Sequence, residues 1–145
     1  MTSIIEEAIT LASTYHAGQV DKAGRPYLGH CERVAEMVNR AGGNEYQVAA
    51  AWLHDIIEDT AMTREALEKL MPLVVVNIVV VMTHEDGVSN EDYWARIPRI
   101  TGAKLVKQCD IYDNLDPTRL CYLEEATQDR LRRKYGRALQ VISAS

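Results

Sequence analysis

Apolar side chains return along this chain at intervals of three and four residues: Ile5, Ala8, Ile9 and Ala12 in the first segment, then Val34, Met37, Val38 and Ala41 in the next. That spacing lays a stripe on one face of an α-helix, and it restricts the chain to architectures built by packing such stripes together. Breaks and caps separate the segments. Gly42 and Gly43 end one of them, Asn44 and Thr63 stand where N-caps belong, and Ser89 followed by Asp92 resembles a capping box opening "NEDYWARI". Gly102 precedes "AKLVKQCDIYDNL", and a final helix covers much of "ATQDRLRRKYGRALQVI". The expectation is an all-α bundle of about seven helices. With 145 residues, 47% of them hydrophobic, the chain suits one compact domain over 1–145, with no internal repeat or low-complexity linker.

One segment resists the scheme. "LVVVNIVVVM" is rich enough in valine to suggest a buried strand. A lone strand has no partner to hydrogen-bond, and Pro72 suits the first position of a helix, so the sequence predicts a helix there. The stretch "HAGQVDKAGRPYLGH" has the glycines and proline of a structured loop, and it places Asp21, Lys22 and Arg25 between two histidines.

Charge and composition exclude several function classes. With 21 acids against 16 bases and a net charge of -5, the chain has no basic stripe for nucleic acid. Cys31, Cys109 and Cys121 show no CxxC spacing and read as reduced packing residues. Glu6 and Glu7 sit where a signal peptide needs an apolar core. The longest apolar run is about half the ~20 residues of a membrane span. The expectation is a soluble, cytoplasmic protein without a membrane partner, whose oligomeric state is not legible.

Chemistry concentrates in "AAWLHDIIEDT". At 100° per residue, His54, Asp55, Glu58 and Asp59 span an arc of about 140° on one helical face. No lysine or arginine shares that arc, and carboxylates in a last helical turn oppose the macrodipole at roughly 0.3 to 1 kcal/mol each. A divalent cation would offset both features. Asp110, Asp113 and Asn114 share a second helical face at i, i+3 and i+4. His30 opens the helix containing Val34 and Met37, and with His54, Asp55 and Asp110 it completes two imidazoles and two carboxylates, a set suited to Mn²⁺, Fe²⁺ or Zn²⁺. His16 and His84 lack such company and read as structural histidines or supports behind the site.

In the order H…HD…D, His30, His54-Asp55 and Asp110 resemble the HD-domain metal-dependent phosphohydrolases. The longer forms "HAGQ…GRPYLGH", "AAWLHDIIEDT" and "AKLVKQCDIYDNL" are similar to the hydrolase branch of the RelA/SpoT alarmone proteins, the small stand-alone hydrolases in particular, from about Ile5 to Ile142. The resemblance implies an all-helical fold binding one Mn²⁺ through His30, His54, Asp55 and Asp110. It further implies that Glu58 and Asp59 activate water to remove pyrophosphate from the ribose 3′ position of guanosine 3′,5′-bis(diphosphate). Asn114 matches a position that helps hold substrate, and Lys22, Arg25 and Arg119 are the basic residues expected to meet its phosphate or sugar. Three positions depart from that branch: Asp21 where an arginine usually stacks on the base, Cys31 in place of proline, and Ile111 in place of a basic residue. The alternatives are a nucleotide phosphatase of other specificity and a catalytically silent, metal-bound nucleotide sensor.

Overall fold

Ala49, Ala50 and Ala51 are completely buried, and this run sets the architecture. They lie in α3 (Glu45–Leu53), whose methyl-sized circumference lets α1 (Ile4–Tyr15), α2 (Leu28–Arg40), α6 (Leu73–Val81) and α8 (Ala103–Asn114) all pack against it. The computed structural model describes residues 2–144. The remaining elements are α4 (Ile56–Asp59), α5 (Arg64–Leu70), α7 (Asn90–Arg96) continuing into a 3₁₀ turn (Ile97–Arg99), α9 (Pro117–Leu120) and α10 (Glu125–Ser143). The fold is all-α. Among the described residues there is no strand, only an isolated bridge between Val20 and Pro26. The ten α-helices among the described residues exceed the seven or so expected chiefly because α4 and α9 are four residues each, too short to display a period.

The caps form as the sequence indicates. Asn44 and Gln47 make a reciprocal capping box, and Thr63 accepts from the Ala66 amide. At Ser89 only the serine half of the box is present, accepting from Asp92 N at 3.1 Å. The valine run is a helix, with Val75, Val76, Ile78 and Val79 buried against its neighbours. Tertiary packing overrides the weak propensity of valine. Pro72 is the N-cap of α6 rather than its first helical residue, and its carbonyl accepts from the Val75 and Val76 amides. Gly102 caps α8 with φ 87°, and a Cβ there would stand 3.1 Å from Ile78 and 3.2 Å from Gln47. That left-handed turn aims α8 back across α3 toward the histidines.

Candidate metal centre

The helix read through "AAWLHDIIEDT" is in fact two. α3 stops at Leu53, His54 stays helical, and Asp55 turns to φ -104°, ψ 4° before α4 begins. The continuous 140° arc is therefore not the geometry. His54 and Asp55 occupy a corner, and Glu58 and Asp59 belong to a single short turn rather than to the end of a long dipole. The penalty expected for them shrinks accordingly.

The corner meets His30 from α2 and Asp110 from α8, and one ligand atom from each of the four residues lies within 4.8 Å of the others. His30 Nε2 is 3.2 Å from His54 Nε2 and 2.9 Å from Asp110 Oδ1, and His54 Nε2 is 3.0 Å from Asp55 Oδ2. The outer nitrogens are occupied. His54 Nδ1 donates to the Ala51 carbonyl at 2.6 Å, and His30 Nδ1 donates to Asp113 Oδ2 at 2.6 Å. Both Nε2 lone pairs then point at one another beside two carboxylates, an arrangement that requires positive charge between them. The ionisation tendencies agree. Burial opposes charge on His30 and His54, yet Asp110 with Asp113, and Asp55 with Asp110, more than offset it and raise both imidazoles. Against the opposing effect of burial, His54 draws Asp55 down to about 2, and Lys107 and the histidines hold Asp110 well below the usual carboxylate range. Two carboxylates and two neutral imidazoles fit one divalent ion.

Of three supporting residues, Tyr27 and Lys107 were not singled out by the sequence, and Asp113 stood there only as a member of the polar face it shares with Asp110 and Asn114. The Tyr27 hydroxyl donates to Asp55 Oδ2, and burial followed by Asp55 raises its pKa. Lys107 Nζ donates to Asp110 Oδ2 at 2.8 Å, in a site where burial opposes its charge and Asp110 restores it. Asp113 is gripped by Arg33 Nε at 2.8 Å and Arg119 at 2.7 Å while it holds His30. The available signal was spacing. Tyr27 and Lys107 each stand three residues, about one helical turn, before a ligand candidate.

Asp55, Glu58, Asp59 and Asp110 line one wall of a cavity of about 330 Å³. Glu58 Oε1 accepts from the His84 amide at 2.6 Å, and His84 stacks on Tyr93 with ring centroids 4.4 Å apart. The Asp59 carboxyl, which reaches the surface, is pushed up to about 6 by partial burial, then by Asp55 and Glu58. His16 lies away from the centre, with Nδ1 held by Gln19 at 2.8 Å.

A second cavity of about 270 Å³ adjoins the first, and Lys22, Tyr27, Asn114 and Tyr135 line both. Asn114 Nδ2 donates to Asp110 Oδ1 at 3.2 Å. Arg119 lines the second cavity, but its guanidinium is engaged by Asp113 and by Asp116. Arg25 lines neither cavity and sits over the Tyr122 ring at 5.0 Å. Asp21 Oδ1 accepts from the Ala23 and Arg25 amides, closing the turn of its own loop.

The chain is similar to a Danio rerio protein named guanosine-3′,5′-bis(diphosphate) 3′-pyrophosphohydrolase MESH1, at 29% identity over 150 residues, 97% of this chain and 83% of that protein. A Synechocystis protein named probable guanosine-3′,5′-bis(diphosphate) 3′-pyrophosphohydrolase is 40% identical over 67 residues, 46% of this chain and 9% of that one. The chain spans only about a tenth of the length of such long curated relatives. A solved structure described as a metazoan ortholog of SpoT that hydrolyzes ppGpp superposes with a TM-score of 0.84 over 98% of this chain and 86% of that one. Its sequence identity is 22%, so the likeness is one of fold. A family model described as HD domain matches residues 8–110, a span that takes in His30, His54, Asp55 and Asp110, and the chain belongs to the HD-domain family.

Proposed function

We propose that the protein is a divalent-metal-dependent phosphohydrolase, that its ion is Mn²⁺, and that it removes pyrophosphate from the ribose 3′ position of guanosine 3′,5′-bis(diphosphate). The observation that carries this reading is the convergence of His30, His54, Asp55 and Asp110 on one point at the wall of a cavity that also presents Glu58 and Asp59. A divalent ion held there lowers the pKa of a bound water and polarises a phosphoryl oxygen. Asp59, with its raised pKa, is matched to accept the water proton near neutral pH, and Glu58 orients the same water from its bond to the His84 amide. The water oxygen bonds to phosphorus, the bond from phosphorus to the ribose 3′ oxygen breaks, and that oxygen leaves with the electron pair and takes up a proton. Lys22 and Asn114, at the seam of the two cavities, meet phosphate and sugar. Arg119 acts through Asp113, which it holds, and Arg25 acts through the loop that carries Lys22. The names of the relatives in Danio rerio and Synechocystis support the same substrate.

Among the described residues no helix is long and apolar enough to cross a membrane. The test is incubation of Mn²⁺-loaded protein with a nucleotide panel, with phosphate and pyrophosphate quantified separately. Pyrophosphate and guanosine 5′-diphosphate in equal amounts, dependent on metal, are the expected products. Orthophosphate release from other nucleotides would favour the phosphatase alternative, and tight binding without any release would favour the sensor.

A further inference from the structure

α10 carries five basic side chains, and one of them is placed unlike the rest. Arg132 is paired with Asp129 and Arg137 with Glu91, both at the surface. Lys134 is half-buried, lines the cavity that holds the metal centre, and lies with Nζ 5.3 Å from the centroid of the Tyr135 ring. It makes no ion pair with any carboxylate among the described residues, and neither does Lys22, which lines the same cavity. Burial first, then Lys107, Lys22 and Arg130, hold the Lys134 pKa below its ordinary value. Glu58 opposes these effects only in part, so a half-buried ammonium beside like charges and with no carboxylate in ion-pair contact is unfavourable, and an anion entering the cavity removes the disadvantage.

The charges in the cavity divide into two groups. Asp55 and Asp110 belong to the quartet, Glu58 and Asp59 stand beside it, and Lys107 is committed to Asp110. A phosphoryl group at the quartet satisfies the ion but leaves Lys22 and Lys134 unanswered. We propose that Lys134, together with Lys22, binds a second phosphate group of the substrate, distinct from the one cleaved at the quartet, so that the site selects nucleotides phosphorylated at two positions. The assignment rests on the phosphohydrolase reading and adds to it a specificity-determining residue on α10. A merely solvated lysine would point away from the cavity and would leave ligand affinity unchanged when replaced.

The experiment is calorimetric titration of guanosine 5′-diphosphate, and separately of guanosine, into the Mn²⁺-loaded full chain as wild type, Lys134→Gln and Lys134→Arg. Wild type binds the diphosphate more tightly than the nucleoside. Lys134→Gln loses roughly ten-fold in affinity for the diphosphate, the scale of one charge-assisted contact, and nothing for guanosine, with unchanged metal content. Lys134→Arg keeps most of the affinity. Equal affinity of wild type and Lys134→Gln for the diphosphate overturns the proposal, as does an equal loss for guanosine, which would mark a damaged pocket. Pyrophosphate release from guanosine 3′,5′-bis(diphosphate) on the same preparations keeps the two claims apart. A raised KM at near-constant kcat in Lys134→Gln supports both, whereas no release by wild type with the titration difference intact removes the reaction and leaves the phosphate contact standing.

Discussion

Two chambers meet at Tyr27 and Asn114, and they are built differently. In the metal-side chamber every ligand candidate comes from the helical core, and each is held from behind: His30 by Asp113, His54 by the Ala51 carbonyl, Asp55 by Tyr27 and Asp110 by Lys107. In the neighbouring chamber one wall is the loop from Gln19 to Ala23, whose Asp21 carboxylate is spent on its own turn, and the facing wall is Leu120 and Leu131. The contrast separates two demands on the protein. Chemistry needs atoms fixed within fractions of an ångström, which packed helices provide, whereas a loop closed on itself can change without disturbing them.

The difference between the two chambers is tested most directly at a ligand. His54→Ala should bind no metal where wild type binds about one ion per chain, and hydrolysis should fall below detection by elemental analysis and product assay. If His54→Ala keeps both, the corner is not the reaction centre. Next in size are Asp59→Asn and Glu58→Gln, which should keep the metal and lose on the order of 10²-fold or more in turnover. Full activity in both would remove these acids from the mechanism. Behind the ligands, Lys107→Met should leave Asp110 Oδ2 without its partner and lower metal affinity about 10- to 100-fold, readable by competition with a chelating dye.

On the loop side, Asp21→Ala frees two backbone amides and should raise KM while metal content and kcat stay at wild-type values. A loss of metal from that variant would show that the two chambers are not separable. The smallest effect concerns pH. Because the folded Asp59 carboxyl sits at about 6 rather than its ordinary 3.8, its contribution to the stability of metal-free protein is present at the acid end and lost as pH rises through that window. The melting temperature of Asp59→Asn relative to wild type should therefore improve between those two values and level off above. A constant difference would mean that the carboxyl titrates normally.

Much of the fold was legible because its determinants are local. Periodic apolar residues declare α1 and α2, and Asn44, Thr63 and Ser89 mark helix starts that form where expected. The candidate ligands were legible because histidines and carboxylates of one set stand out in any sequence. The corner at Asp55 was not, since helical arithmetic counts straight through a break that no glycine or proline marks in "AAWLHDIIEDT". Tyr27 and Lys107 were obscure for a related reason. A tyrosine and a lysine are ordinary in such segments, and the meaning of Tyr27 arises from Asp55, 28 residues away; the face carrying Asp113 was legible, but its partner His30, 83 residues away, was not.

The ligand candidates also impose an order in time. His30, the His54-Asp55 corner and Asp110 are separated by long stretches of chain, so no ion can be gripped by all four until α2, α3 and α8 have docked. Loop closure across the 80 residues between His30 and Asp110 carries an entropic cost, and the packing of α2 and α8 against the buried alanines of α3 helps to offset it. An ion gripped by all four is thus a lock on helices already docked, holding together parts of the chain as far apart as His30 and Asp110.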